Sequence, residues 1–234
     1  GGLCFVLAAV NLYQSYFTTV VKTYALTSLF LAGGLTMLSF VGRRHALRAA
    51  AGAGFLLACA TATRISLGAA LGLGFLYLLA CQHRVKAWAW LDFALGGGMG
   101  LALMFLYFMA IGGEGFRFGL VEYHTLREGG PWMAQAAFKI GCLSRLVQAY
   151  FPAAVAGLFL MLAAVLRRGR GGAAKGEAAP EADAEGGADM PPSINGFLWL
   201  VVLVLAGIHL SAPFPYDDYQ VPVYPVFCAA LSAA

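Results

Sequence analysis

The chain has 234 residues, of which 61% are hydrophobic and only 11% charged, with a mean hydropathy of +0.77 and a net charge of +4. A soluble domain carries roughly 25% charged residues, so this composition excludes an ordinary water-soluble fold and points to an integral membrane protein. The basic residues are scattered over short segments between apolar runs, which excludes a nucleic-acid-binding surface. Cys4, Cys59, Cys81, Cys142 and Cys228 stand singly in apolar surroundings, without metal-ligand spacing or an even framework for disulfides.

Both termini fall inside apolar runs, so the sequence reads as the C-terminal portion of a longer chain, with a truncated helix at each end. Residues 11–22 are a polar, aromatic interruption suited to a membrane interface. Residues 23–41 form a spanning helix, followed by a basic loop with Arg43, Arg44 and Arg48. Residues 49–81 are too long for one crossing, at about 50 Å of helix against a hydrocarbon core of roughly 30 Å. Arg64 lies near the middle of that run, within Thr61-Ala-Thr-Arg-Ile-Ser66. A charge at the bilayer centre is expensive, so two short helices, 49–63 and 65–81, are expected to meet at a turn carrying Arg64.

Gln82-His-Arg-Val-Lys86 is the return loop, and residues 88–111 cross again from Trp88 and Trp90. Residues 112–139 read as a polar region holding Glu122-Tyr-His-Thr-Leu-Arg-Glu128. Residues 140–166 return, and residues 171–192, rich in Ala, Gly, Glu, Asp and Pro, read as a disordered cytoplasmic linker. Residues 194–211 rise once more. Between them and the last apolar run lies Ala212-Pro-Phe-Pro-Tyr-Asp-Asp-Tyr-Gln-Val-Pro-Val-Tyr-Pro225, with three tyrosines, two carboxylates and four prolines. Proline resists a helix interior, so this stretch is shaped backbone at the edge of the lipid.

The expected fold is therefore an all-α, polytopic transmembrane bundle of about six full spans, starting at Thr23, Ala49, Ile65, Trp88, Ile140 and Ile194. Placing the short basic loops inside puts nine Lys and Arg there and six on the other side. The polar groups then gather on the outer face. Arg64, Tyr123, His124, Arg127, Tyr216, Asp217, Asp218 and Tyr219 are the candidate substrate-binding residues. Arg pairs with phosphate oxygens through charge-assisted bonds; the bland alternative for Arg64 is snorkelling or capping a helix end. His124 could serve as a base or a hydrogen-bond donor, and Arg127 could instead pair with Glu122 or Glu128. Asp217 and Asp218 offer oxygen ligands for a divalent cation or a sugar hydroxyl, although two carboxylates alone make a weak metal site. Tyr24 and Tyr107 read as packing or interfacial-belt residues. No phosphate-binding Gly-Lys-Ser/Thr loop, Gly-x-Ser-x-Gly elbow or His-Glu-x-x-His motif is present.

Four stretches resemble the multi-spanning glycosyltransferases of the C-type fold, which include the protein O-mannosyltransferases and the aminoarabinose transferases. They are Thr23-Tyr-Ala-Leu-Thr-Ser-Leu-Phe, the small-residue helix Ala51-Gly-Ala-Gly-Phe-Leu-Leu-Ala-Cys-Ala-Thr-Ala-Thr-Arg64, Glu122-Tyr-His124, and Tyr216-Asp-Asp-Tyr-Gln-Val-Pro-Val-Tyr-Pro225. The resemblance implies transfer of a sugar from a polyprenyl-phosphate donor to a lipid, glycan or protein acceptor on the extracytoplasmic face of a bacterial inner membrane. It implies an acidic general base in a first outer loop that would precede Gly1, so no catalytic residue is assigned here and the portion in hand is expected to be inactive alone. The competing reading is a transporter or flippase for a lipid-linked or anionic substrate, which would need polar or broken segments near the midplane and access from both sides.

Overall fold

In a computed structural model, residues 6, 11, 23–42, 45–122, 131–171, 194–212, 215 and 217–233 are described. Among these every regular element is helical. Seven α-helices follow in order: α1 Tyr24–Ser39, α2 Ala46–Thr63, α3 Gly68–Ala80, α4 Ala89–Arg117, α5 Trp132–Gly171, α6 Ile194–Ser211 and α7 Val223–Ala233. Short 3-10 turns at Ile65–Leu67 and Asp217–Gln220 precede α3 and α7, and a π-helical turn at Phe118–Glu122 continues α4.

Four helical stretches, Ala46–Thr63, Ala89–Arg117, Trp132–Phe159 and Ile194–Ser211, are long and apolar enough to cross a membrane. The expected six full spans meet shorter helices at two of their positions. α1 has 16 residues and the 3-10 turn with α3 spans residues 65–80, each about 24 Å of helix at most. The expected division at Arg64 is present: α2 stops at Thr63 and the chain restarts at Ile65.

Within the polar region expected at residues 112–139, residues 112–122 and 132–139 are helical and residues 123–130 lie outside the described residues. α4 runs on to Arg117 and its π-turn to Glu122, while α5 begins at Trp132, well before Ile140. A helix satisfies its own backbone, so the chain keeps that form where its side chains turn polar; Glu114, Arg117 and Glu122 are all exposed. The segment is bent at Gly113, whose φ of 48° and ψ of −125° lie outside helical space. At its other end, α5 extends through residues 167–171, and the expected linker lies outside the described residues from 172 onward.

α2 forms the centre of the bundle, antiparallel to α1 and packed against α4. Small residues set the spacing. A Cβ added at Gly54 would strike the backbone of Phe93 and Gly97, one at Gly96 would strike Ala51, and one at Gly100 would meet Ala58 and Phe55. Such close backbone approach is how helices gain contact in lipid, where burial from water supplies little drive. Leu31, Leu57, Phe93, Val201, Leu205 and Val223 fill the space between α1, α2, α4, α6 and α7. α5 joins through aromatic contact: Tyr150 lies edge-on to Tyr224 and Phe227, with ring centroids 5.1 and 4.9 Å apart. Leu95, Met99, Leu103 and Leu106 of α4 and Leu143, Phe151 and Leu158 of α5 remain exposed, as a face against lipid requires.

Candidate functional site

The site begins where α2 ends. Thr61 Oγ1 donates to the carbonyl of Leu57 at 2.8 Å and Thr63 Oγ1 to that of Ala60 at 2.7 Å. Threonines bonding back to the preceding turn weaken a helix and favour its termination. Arg64 then adopts an extended backbone, φ −151° and ψ 112°. Its N–H still closes on Ala60 O at 2.9 Å, and its carbonyl accepts from Leu67 N–H at 2.9 Å. The main chain is thus satisfied while the side chain leaves the helical path. Thr27 Oγ1, which lies 2.9 Å from Thr63 Oγ1, ties α1 to this corner.

The Arg64 guanidinium carbon stands 4.0 Å from the centroid of the Tyr24 ring and 4.9 Å from that of Tyr219. Tyr24 is 3% exposed on the first turn of α1. Tyr219 comes from the 3-10 turn Asp217–Gln220. Each ring contributes roughly 0.5–2 kcal/mol of cation–π attraction, which fixes the plane of the guanidinium. Arg64 Nε is buried without a hydrogen-bond partner, and among the described residues no carboxylate forms an ion pair with this side chain. A partly buried cation held by two rings keeps its charge available to an external anion.

Two residues on, Ser66 Oγ lies 3.1 Å from His209 Nε2. His209 is 3% exposed near the end of α6, and its ring centroid is 5.7 Å from that of Tyr219. Arg64, Ser66, His209 and Tyr219 border a cavity of about 580 Å³. α4 and its continuation contribute Met104, Phe105, Phe108 and Phe116 to the same cavity. The bend at Gly113 brings Phe116 back onto Phe105 and Phe108, with centroids 5.8 and 6.1 Å apart. One cavity therefore offers a cationic, hydroxyl-bearing part and an aromatic, apolar part.

Of the residues singled out from the sequence, Arg64 and Tyr219 meet here. Asp217 and Asp218 belong to the turn that carries Tyr219. Tyr123, His124, Arg127 and Tyr216 lie outside the described residues. Glu122, expected as a partner for Arg127, pairs with Arg117 at 3.6 Å in an exposed position. Among the described residues no group of three or more His, Cys, Asp and Glu converges. The described cysteines, Cys59, Cys81, Cys142 and Cys228, form no disulfide with one another.

Sequence reasoning passed over Tyr24, Ser66 and His209. Tyr24 was assigned to packing, and it does pack, but against a guanidinium. A histidine near the end of an otherwise apolar helix, three residues before Ala212, was the available signal for His209. Ser66 carried none beyond its closeness to Arg64.

Searches against protein-family models, curated proteins and solved structures return no match to this chain.

Proposed function

We propose that the chain is part of an integral-membrane glycosyltransferase that takes a sugar from a polyprenyl-phosphate donor on the extracytoplasmic face, with the donor's phosphate at Arg64. The observation that carries this reading is the ring-stacked Arg64, with no ion-pair partner among the described residues, in a cavity that also has an aromatic wall. An amphiphile with an anionic head matches both parts: the head takes the guanidinium, and the first isoprene units lie along Phe105, Phe108 and Phe116. Taking the short loops that carry Arg43, Arg44, Arg48, Arg84 and Lys86 as inside, as the positive-inside rule favours, assigns this end of the bundle to the outer face.

In the transfer, an acceptor oxygen attacks the anomeric carbon and the bond from that carbon to the phosphate oxygen breaks. Polyprenyl phosphate leaves with the bonding electrons, and the acceptor's proton passes to a base. Negative charge grows on the leaving phosphate as the bond breaks. A positioned guanidinium stabilises that charge more in the transition state than in the ground state. No residue of this chain is assigned as the base, and Arg64 serves the leaving-group half of the chemistry.

The test is transfer of labelled sugar from a polyprenyl-phosphate donor by the natural full-length protein in liposomes. Transfer that falls at least about thirtyfold in Arg64→Ala, the scale of a lost charge-assisted contact, supports the reading. Movement of the intact donor across the bilayer without transfer contradicts it and favours the transporter.

A further inference from the structure

The Ser66–His209 pair belongs to the same cavity as Arg64 but has no part in the reading above. A guanidinium is planar and its donors lie in that plane. It can satisfy two oxygens of an anion. In a carboxylate those are all the oxygens there are. A tetrahedral anion has further oxygens outside the plane, and each needs a donor of its own once the site excludes water.

Ser66 is placed to supply one. It follows Arg64 by two residues in the turn and borders the cavity beside His209, whose Nε2 lies 3.1 Å from its oxygen. With the ring proton on Nε2, the imidazole donates to Ser66 Oγ. The hydroxyl proton is then free to point into the cavity. In the opposite tautomer the hydroxyl spends its proton on the ring. An anion beside Arg64 favours the first arrangement, because only that one gives it a donor.

We infer that Ser66, positioned by His209, makes the Arg64 cavity selective for tetrahedral oxyanions, phosphate esters among them, over carboxylates of equal charge. This rests on the proposed function for the presence of an anion at Arg64, and it adds two residues and a rule of selection.

The test uses the full-length protein in nanodiscs of neutral lipid, titrated calorimetrically with octanesulfonate and octanoate. Both probes have eight-carbon chains and carry one negative charge at neutral pH; they differ in the geometry of the head. The wild type is expected to bind octanesulfonate about tenfold more tightly, the scale of one hydrogen bond to a charged group. Ser66→Ala should bring the ratio close to one, and Ser66→Thr should restore it. His209→Ala should lower the ratio as Ser66→Ala does, and His209→Gln, which offers an amide to the same hydroxyl, should keep most of it. The ratio is the informative quantity, because loosened packing weakens both probes alike. Equal affinities in the wild type, or a preference that survives Ser66→Ala, overturn the inference.

The Arg64 reading fails separately. Undiminished binding of both probes in Arg64→Ala removes the anion from Arg64 and overturns the proposed function, whereas weakened binding of both there with the ratio unchanged in Ser66→Ala overturns the selection rule alone. Failure of the wild type to bind either probe overturns both. Octyl phosphate and inorganic phosphate distinguish the source of the head group: tighter binding of the octyl ester identifies a lipid-borne phosphate, and equal binding identifies the free ion. The second result contradicts the polyprenyl donor.

Discussion

Arg64 owes its position to a balance that differs from that of a surface ion pair. Removing a charge from water costs several kcal/mol unless partners replace the lost hydration. Here two aromatic faces replace part of it without neutralising the charge, and the remainder is left for a ligand. Arg64→Lys keeps the charge but loses the flat surface that lies on Tyr24. It is expected to weaken binding of a phosphate-headed lipid about fivefold, well short of Arg64→Ala. Tyr24→Leu removes one ring at 4.0 Å and should cost about three- to tenfold in the same titration, the range of one cation–π contact. Arg64 was legible from the sequence because an isolated charge in an apolar run demands explanation. Its partner Tyr24 was not, because a tyrosine at a helix start has the same appearance whether it faces lipid, core or cation. The contact is made by chain segments 40 residues apart (Tyr24 and Arg64) and, for Tyr219, far more distant still; no local pattern encodes it.

At the scale of helices, two glycine roles separate cleanly. Gly54, Gly96 and Gly100 have neighbouring atoms where a side chain would stand, whereas Gly98 has none within 4 Å. Gly54→Val should destabilise the protein in detergent by about 1–3 kcal/mol through overpacking, read as a lower thermal midpoint, and Gly98→Ala should leave that midpoint unchanged or slightly raised. Gly113 is different: space is open around it, but its φ of 48° is one that side-chain-bearing residues rarely adopt. Gly113→Ala should therefore cost about 1–3 kcal/mol through the backbone and loosen the Phe116 side of the cavity. Gly96-Gly-Gly-Met-Gly100 is a run of small residues within an apolar segment, a composition that suits close helix packing. The bend was not legible: Gly112-Gly-Glu-Gly looks like a loop, and a glycine-rich stretch in a helix and one in a loop have the same sequence signature. Polar side chains at Glu114 and Arg117 mark where apolar composition ends, which carries no information on where the helix ends.

For the molecule as a whole, hydropathy fixed the class but not the count. A 16-residue helix such as α1 is short for a bilayer of roughly 30 Å, and local thinning or tilt of neighbours decides whether it crosses. Composition reports the apolar content of a segment and carries no such information. Sidedness can be measured directly. Cysteine placed at Ile65, which is 56% exposed beside the cavity, should react in intact cells with a membrane-impermeant maleimide. Cysteine placed at His83, in the loop beyond α3, should react only after the membrane is opened. The reverse pattern would put the cavity in the cytoplasm and remove the extracytoplasmic donor. The most direct test of the central claim is photocrosslinking of the full-length protein in membranes with a diazirine-bearing isoprenyl phosphate. Adducts on the α4 segment that contains Phe105 and Phe108, abolished by Arg64→Ala and by excess unlabelled isoprenyl phosphate, are the predicted result; adducts elsewhere, or the same adducts in Arg64→Ala, would contradict it.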